Sequence, residues 1–425
     1  MSALFGSFLV LLAAGMPIAF LLGLCCLIYI VFFSTFPLVI LAQRMVAGMN
    51  TFTFLAVPLF VLAGNLMNAT GITDRLVTFV NGFVGHIRGG LAIANVQASM
   101  LFAGVSGTAV GDTASVGGVL IPAMQREGYR GDYAAAVTAA SSIIGPIIPP
   151  SLPMIIVATL LNLSVGRMFV AGIVPGILLG LGLMLAAYVI AVRDAHPHRA
   201  RMPWGARLRN SLDAIWAIIM PLIILAGIVG GIFTPTEAAA VACVYGILIG
   251  VVVMRTLKVT ALPGIVLDSL IMSVPIMMLV GTSTVFSWIL VAERVPQAVA
   301  AFLFGITENP ILIILIINVF LLFVGVFMET IAAMLILFPV LFTIVPVIGV
   351  DPIQFAVMMV LNLMIGLTTP PVGVCLFVAG SIAKVQIFEI VRAIWPFYVV
   401  LLLVLLLVAY VPPVTLFLPG LFYGP

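Results

Sequence analysis

A short polar segment at residues 103–115 separates two apolar stretches and reads Ala-Gly-Val-Ser-Gly-Thr-Ala-Val-Gly-Asp-Thr-Ala-Ser. Its centre, Ser106, Gly107 and Thr108, combines two hydroxyls with a glycine at which the chain can turn. Hydroxyl and carbonyl oxygens can coordinate a small cation, whereas the free N–H groups at a helix N-terminus attract an anion. The segment therefore predicts a turn that binds ions, and a packed glycine turn without a ligand is the alternative.

Two proline-rich segments provide further candidate ligands. Residues 145–153 read Gly-Pro-Ile-Ile-Pro-Pro-Ser-Leu-Pro, and residues 366–373 read Gly-Leu-Thr-Thr-Pro-Pro-Val-Gly. Proline lacks a backbone donor and clashes with the preceding turn, so each run is expected to unwind a helix and free its carbonyls. Together with hydroxyls, these carbonyls would offer sodium several hard oxygens without a full charge; a plain proline kink is the alternative. The candidate residues are Gly145, Pro149, Pro150, Ser151, Gly366, Thr368, Thr369, Pro370 and Gly373.

Two acids accompany these segments. Asp112 follows the first polar turn, and Glu329 lies in the run from Gly325 to Thr330, between two apolar arms. A carboxylate inside an apolar stretch is costly to bury, so each acid is a candidate functional group. Because Asp112 directly precedes Thr113, the alternative role for this aspartate is that of a helix N-cap.

The elements that position these residues are expected to lie in a membrane. Hydrophobic residues make up 64% of the 425 residues and charged residues 7%, where ordinary globular proteins have about 45–50% and 25%. Such a chain cannot build a solvated surface, so we predict an all-α polytopic membrane protein. With about 20 apolar residues per span, the expected membrane helices are 3–33, 51–69, 166–192, 214–232, 236–254, 265–290, 310–326 and 393–411.

Some apolar segments are too short or too interrupted for ordinary spans. Two short arms flank the first polar turn, which favours a re-entrant helical hairpin at about 89–124. A second hairpin is expected at about 310–349, around the second acid. The two proline-rich segments would each divide a helix, at about 131–162 and 352–382, into two half-helices.

The two halves of the chain resemble each other. In one ungapped alignment, Leu-Phe-Ala-Gly-Val at 101–105 falls on Leu-Phe-Val-Gly-Val at 322–326, and the glycine and paired prolines of the two proline-rich segments coincide. Internal repeats with a broken helix in the corresponding position are typical of secondary transporters. We therefore predict two repeats of inverted topology, at 1–192 and 214–425.

The segment 193–213 between the repeats is the longest polar stretch. Its basic residues are Arg193, Arg199, Arg201, Arg207 and Arg209. Because basic loops of membrane proteins stay on the cytoplasmic side, we predict that this segment is a cytoplasmic linker.

Several other functions find no support in the sequence. The net charge of +3 is too small to indicate nucleic-acid binding, and the four cysteines all lie in apolar runs without a metal-binding or disulfide pattern. No second membrane aspartate, no histidine suited to activate a serine and no phosphate-binding loop is recognisable. The chain is therefore predicted not to be an enzyme and to have no cofactor, and a channel is the alternative to a transporter.

Five motifs along the chain form one specific combination. They are the hairpin at 102–115, Leu-Ile-Pro-Ala-Met at 120–124, Ile-Ile-Pro-Pro-Ser at 147–151, Gly-Ile-Phe-Thr-Pro-Thr-Glu-Ala-Ala-Ala at 231–240 and Thr-Thr-Pro-Pro-Val-Gly at 368–373. This combination resembles the large membrane subunit of tripartite ATP-independent periplasmic (TRAP) transporters, and the resemblance covers essentially the whole chain. Gly111 departs from the pattern, in which a residue similar to alanine is expected.

The resemblance implies a sodium-coupled importer of the elevator type in the bacterial inner membrane. In that family a periplasmic binding protein delivers an organic acid, such as a dicarboxylate or sialic acid, and a small four-helix membrane subunit completes the scaffold. One implied sodium site comprises Ser106, Gly107, Thr108, Gly145, Pro149 and Ser151, and the other comprises Gly325, Thr330, Gly366, Thr369 and Pro370, with Asp112 and Glu329 nearby. Proton coupling, or an anion channel of the same architecture, is the alternative.

Overall fold

The computed structural model describes residues 2–194, 196 and 201–424, and in these ranges it contains helices and connecting segments but no β-strand. The first half comprises α1 (Ser2–Ala13), α2 (Ile18–Phe33), α3 (Val39–Met49), α4 (Ala56–Ala69), α5 (Ile72–Val84), α6 (Gly90–Ser106), α7 (Ala109–Arg126), α8 (Gly131–Ser142), α9 (Leu152–Leu160) and α10 (Val165–Arg193). The second half comprises α11 (Trp204–Val229), α12 (Pro235–Leu248), α13 (Leu262–Ala292), α14 (Val295–Ile306), α15 (Pro310–Phe327), α16 (Thr330–Leu341), α17 (Val345–Ile348), α18 (Pro352–Gly366), α19 (Val374–Ala383), α20 (Ile387–Tyr410) and α21 (Pro412–Tyr423).

Membrane-length helices dominate this architecture. Among the described residues, eight helical segments are long and apolar enough to cross a membrane. Large apolar side chains on these helices also lie exposed, for example Leu185 at 64% and Phe323 at 65% of their full surface. Exposed apolar surface of this extent needs lipid or another protein as its neighbour. The prediction of an all-α polytopic membrane protein is confirmed.

The first apolar run is divided. α1 ends at Ala13 and α2 begins at Ile18, so the single span predicted at 3–33 is wrong. Gly15 adopts a left-handed φ of 75°, and Pro17 contributes no backbone donor to the helix that follows it. These two residues end one helix and begin the next, and α1 and α2 pack against each other.

Two pairs of helices meet the two broken helices of the chain. α6 and α7 lie where the first hairpin is predicted, and α15 and α16 lie where the second is predicted; α8 with α9, and α18 with α19, are the half-helices. In each half the first arm packs on the first half-helix, α6 on α8 and α15 on α18. The second half-helices pack on the other half of the chain, α19 on α7 and α9 on α16. The two candidate sites are therefore joined in one packed unit.

The basic segment between the halves is partly helical. α10 ends at Arg193 and α11 begins at Trp204, so residues 204–213 of the predicted linker form the start of a long helix. Residues 195 and 197–200, which include Arg199, lie outside the described part of the chain.

Candidate functional site

The turn between α6 and α7 is built from the predicted residues Ser106, Gly107 and Thr108. Gly107 adopts a left-handed φ of 60°, which a residue with a side chain rarely adopts. The Thr108 hydroxyl caps α7 by accepting a hydrogen bond from the Gly111 N–H at 3.3 Å. The Ser106 hydroxyl closes the turn by donating to the Thr108 carbonyl at 3.3 Å. Thr108 is thus the N-cap, and the prediction of Asp112 as a possible N-cap is wrong.

This turn contacts the first proline-rich break directly. A Cβ atom at Gly107 would lie 2.9 Å from the Pro150 carbonyl oxygen, and one at Gly145 would lie 3.4 Å from the Thr108 carbonyl oxygen. In each contact a glycine without a side chain lets the two backbone segments approach this closely. The sequence signal for this contact was the pair of glycines, and the structure brings Gly107, Thr108, Gly145 and Pro150 together.

The first break runs from the end of α8 to the start of α9 and contains a cis peptide bond between Pro149 and Pro150. Ser151 is buried and caps α9, because its hydroxyl oxygen accepts from the Met154 N–H at 3.2 Å. The same hydroxyl donates to the Pro146 carbonyl at 2.5 Å. Ser151 therefore shapes the break, and its proton is already committed to the backbone.

Asp112 is fully buried in the first turn of α7. The Ser99 hydroxyl and the Cys375 thiol lie in its surroundings, yet neither carboxylate oxygen has a hydrogen-bond partner among the described residues. A buried carboxylate without a partner is strongly unfavourable in a protein interior. Asp112 is therefore the group in this site that most needs a counter-charge or a proton.

A buried polar network, which the sequence analysis did not predict, joins α6, α7 and α8 and reaches this carboxylate through Ser99. Its members are Asn95, Ser99, Thr113, Thr138, Ser141 and Ser142. The Asn95 amide donates to the Thr138 hydroxyl at 2.7 Å, and the Thr113 hydroxyl donates to that of Ser142 at 2.7 Å. The spacing of these residues, four apart in α6 and three or four apart in α8, places them on one face of each helix. This spacing is the feature of the sequence from which the polar faces of the two helices could have been predicted.

The second turn differs from the first. α15 ends at Phe327, and Glu329 caps α16 by accepting hydrogen bonds from the N–H groups of Ile331 at 3.0 Å and Ala332 at 2.8 Å. Glu329 is exposed, whereas Thr330 is buried and its hydroxyl has no partner among the described residues. The two acids thus have different roles, since only Asp112 is buried without a partner.

The second hairpin also contacts its broken helix through glycines. A Cβ atom at Gly366 would overlap the carbonyl group and Cα of Gly325. Beyond Gly366, the hydroxyls of Thr368 and Thr369 both donate to the Ile365 carbonyl at 2.9 Å. The structure therefore brings Gly325, Gly366, Thr368 and Thr369 into one region.

The second break ends at Gly373, which precedes α19 with a left-handed φ of 41° and lies close to the Thr369 carbonyl oxygen. The break contains a cis peptide bond between Pro370 and Pro371. The Tyr398 hydroxyl of α20 donates a hydrogen bond to the Thr368 carbonyl. This contact holds the unwound backbone against a neighbouring helix.

The two sites meet where α19 packs along α7. Cys375, in the first turn of α19, lies beside Thr113 and Asp112 in the first turn of α7. Farther along, the Gln125 side chain donates to the Ala383 carbonyl at 2.8 Å. The two helices therefore run in the same direction from the same level, and their N-termini lie side by side. Such ends attract anions, whereas unwound carbonyls attract cations.

Membrane-length helices with two hairpin turns packed against two broken helices define a secondary transporter. The family model for "Tripartite ATP-independent periplasmic transporter, DctM component" matches residues 5–414. The chain belongs to this family, and it is a transporter permease subunit rather than an enzyme.

Characterised relatives agree with this membership over nearly their whole length. The sialic acid TRAP transporter large permease protein SiaM of Vibrio cholerae is 40% identical, over 97% of both chains. The C4-dicarboxylate TRAP transporter large permease protein DctM of Pseudomonas aeruginosa is 39% identical, over 94% of this chain and 93% of its own. The 2,3-diketo-L-gulonate TRAP transporter large permease protein YiaN of Escherichia coli is 37% identical, over 94% of both. The named substrates of these relatives differ from one another.

Proposed function

We propose that this protein imports an organic acid by sodium-coupled secondary transport. The observation that supports this most strongly is Asp112, a fully buried carboxylate without a hydrogen-bond partner, beside a hairpin turn packed on unwound backbone. A bound cation would supply the counter-charge that this carboxylate lacks. The relatives named for sialic acid, C4-dicarboxylates and 2,3-diketo-L-gulonate support an organic acid as the class of substrate.

The two proposed sodium sites follow the two contacts between hairpin and break. In the first, the carbonyls of Thr108 and Pro150 lie where Gly107 and Gly145 bring the backbones together, and Ser106, Pro149 and Ser151 complete the set. In the second, Gly325, Gly366, Thr369 and Pro370 surround a similar contact, and Thr330 adds a hydroxyl without a partner. Hydroxyls that donate to the backbone keep lone pairs that can face a cation.

The substrate carboxylate is proposed to lie at the helix N-termini. α7 and α19 start side by side, and their free N–H groups create a positive region without a full charge. Excess sodium entry then drives accumulation, because moving one charge inward across 100 mV yields about 2.3 kcal/mol. Two such helix ends and two cation sites in one packed unit allow ion and substrate to move together.

The moving part is proposed to be the unit of the two hairpins and two broken helices, which slides as an elevator against the remaining helices. Its halves are proposed to be inverted repeats, since each contains the same order of hairpin and broken helix. The proposed assembly is in the bacterial inner membrane, with a small four-helix membrane subunit and a periplasmic binding protein as partners. A relative from Oleidesulfovibrio alaskensis, the isethionate TRAP transporter permease protein DctMQ, is matched over 66% of its length, which leaves room for a fused second subunit.

The first experiment compares the melting temperature of the purified protein in sodium chloride and in potassium chloride at equal ionic strength. A selective ligand stabilises the folded state by mass action. We expect a higher melting temperature in sodium, and uptake of a carboxylate into proteoliposomes that follows the sodium gradient. Uptake that follows a proton gradient instead, or passive flux without accumulation, would favour the proton-coupled transporter or the channel.

Ser106→Ala and Thr369→Ala are expected to raise the sodium concentration for half-maximal uptake by about tenfold each, as the loss of one good ligand is worth about 1.4 kcal/mol. The matched control is Ser381→Ala, because the Ser381 hydroxyl also donates to a carbonyl within its own helix, that of Val378 at 2.8 Å, but lies beyond the break. The measurement is uptake against sodium concentration. An unchanged half-maximal concentration in both variants would contradict the assignment of these ligands.

The proposed cytoplasmic position of the basic linker can be tested by cysteine labelling. Gly205 is exposed, and a Cβ atom at this position meets no other atom within 4 Å, so Gly205→Cys is expected to fold normally. The native cysteines, Cys25, Cys26, Cys243 and Cys375, are buried and give little background. A membrane-impermeant maleimide is expected to label Gly205→Cys from the cytoplasmic side only, and labelling from the periplasm would invert the proposed topology.

A further inference from the structure

A cavity lies between α5, α6 and α10, and its lining contains none of the residues of the proposed transport site. It has a volume of about 380 Å³, and its lining is almost entirely apolar. The apolar residues that form its walls are Phe79, Val80 and Phe83 of α5, Met100 and Leu101 of α6, and Met184 of α10. Walls of this kind fit a hydrocarbon chain and offer little to a polar ligand.

A cation lies at the edge of this cavity. The start of α11 packs on the end of α5, where Gly82 approaches the side chains of Met202 and Arg207. The Arg207 guanidinium lies 5.9 Å from the centre of the Phe83 ring and 5.2 Å from that of the Trp204 ring. Its Nε atom is buried and has no hydrogen-bond partner among the described residues. Arg207 is thus positioned by aromatic rings, and its Nε donor has no hydrogen-bond acceptor among the described residues.

Other charges around this region are mainly positive. Arg88 and Arg201 are exposed near the two helix ends that meet here, and the neighbouring Asp194 pairs with Arg193 at 3.1 Å. The buried Nδ1 atom of His86 also has no partner among the described residues. The combination is an apolar cavity beside a group of basic residues, in which Arg207 and His86 have buried nitrogen atoms without a partner among the described residues.

We infer that this cavity binds an anionic phospholipid. One acyl chain would occupy the space between α5, α6 and α10, and the phosphate would accept hydrogen bonds from the Arg207 guanidinium. Arginine suits this role because its planar donors match phosphate oxygens, and clusters of basic residues at the cytoplasmic membrane surface attract anionic lipids. A zwitterionic lipid such as phosphatidylcholine would fill the cavity and offer a phosphate, but its own cation would offset the charge that the arginines attract.

The position of this lipid would matter for the protein, because α6 is the first arm of a hairpin and α5 packs both on α6 and on α11. The acyl chain would then lie between the hairpin and a helix outside the proposed moving unit. The lipid site rests on the proposed cytoplasmic position of the basic linker and is independent of sodium coupling.

The test uses the full-length chain purified with the proposed small membrane subunit and equilibrated in detergent micelles that contain dioleoyl phosphatidylglycerol or dioleoyl phosphatidylcholine. Native mass spectrometry measures the lipid retained per chain. We expect about tenfold tighter retention of phosphatidylglycerol, because both lipids offer a phosphate to Arg207 but the choline cation of phosphatidylcholine offsets the negative charge that the arginines attract. Arg207→Gln should remove this preference, and Leu101→Trp, which fills the cavity, should reduce retention of both lipids.

Arg209→Gln is the matched control, because it removes the same charge from an exposed position of the same helix. It should leave the preference intact. Equal retention of the two lipids by the unsubstituted protein, or equal losses in Arg207→Gln and Arg209→Gln, would overturn the inference. Displacement of the lipid by inorganic phosphate, or its absence whenever the membrane subunit is present, would also overturn it in favour of a free-anion site or a protein-covered groove.

Discussion

Gly366→Ala is expected to reduce uptake by at least about tenfold and to destabilise the protein by about 1–3 kcal/mol, the usual cost of forcing extra volume into a packed core. The added Cβ atom would overlap the carbonyl group of Gly325. The atoms that this Cβ atom would meet belong to the backbone of α15, so they cannot move aside as a side-chain tip would. The hairpin must therefore separate from the broken helix, and the second proposed cation site would open.

The matched control is the same substitution on the other side of the contact. A Cβ atom at Gly325 would lie 3.4 Å from the Gly366 Cα and 3.5 Å from the Leu363 carbonyl oxygen, which are ordinary contact distances. Gly325→Ala should therefore keep most of the uptake and gain some helix stability, since alanine favours a helix over glycine by about 1 kcal/mol. Proteoliposome uptake and melting temperatures of both variants check this asymmetry, and equal behaviour of the two variants would contradict it.

Asp112→Asn is expected to change stability and ion response in opposite directions. In potassium chloride the variant should be more stable than the unsubstituted protein by about 1–3 kcal/mol, because it removes a buried, unpartnered charge. In sodium chloride it should gain no further stability, because the proposed counter-charge for the ion is gone. Sodium-driven uptake should fall by at least about tenfold, the equivalent of about 1.4 kcal/mol.

Asp132→Asn is the control for this variant. The Asp132 carboxylate forms a salt bridge with Arg130 and accepts the Tyr133 N–H at 2.8 Å, so this acid already has partners. Its replacement should lower stability in both salts and leave the sodium-dependent rise in melting temperature unchanged. If Asp112→Asn were destabilised in potassium chloride and still responded to sodium, Asp112 would be a structural residue and the proposed cation role would be wrong.

Local chemistry was enough to locate most of the elements. Hydrophobic composition alone indicated a membrane protein. The polar turn at 103–115 and the prolines at 145–153 interrupt a helix whatever its surroundings, so both interruptions could be located from the sequence. The break in the first apolar run was also present in the sequence, as Gly15 and Pro17. It was missed because the apolar character of the flanking residues outweighed two local signals.

The roles of individual polar residues depended on neighbours distant in the chain. Asp112 and Glu329 occupy similar places after a hairpin turn, and either could begin a helix. Only the structure shows that Glu329 caps α16 whereas Thr108 caps α7 and leaves Asp112 buried. The Asn95 contact with Thr138 likewise joins two helices, and helical spacing alone cannot say which polar faces meet.

The sequence by itself determined the class of protein, the family, and the positions of the turns and breaks, since these follow from hydrophobicity and from the backbone limits of glycine and proline. The tertiary structure alone decided which of these features touch. Gly325 and Gly366 are the same residue type in the sequence, yet a Cβ atom added at one meets different neighbours from a Cβ atom added at the other. The reason is that the relative placement of two helices determines which atoms are in contact. The same holds for Asp112, since the absence of a partner is a property of the whole packed interior.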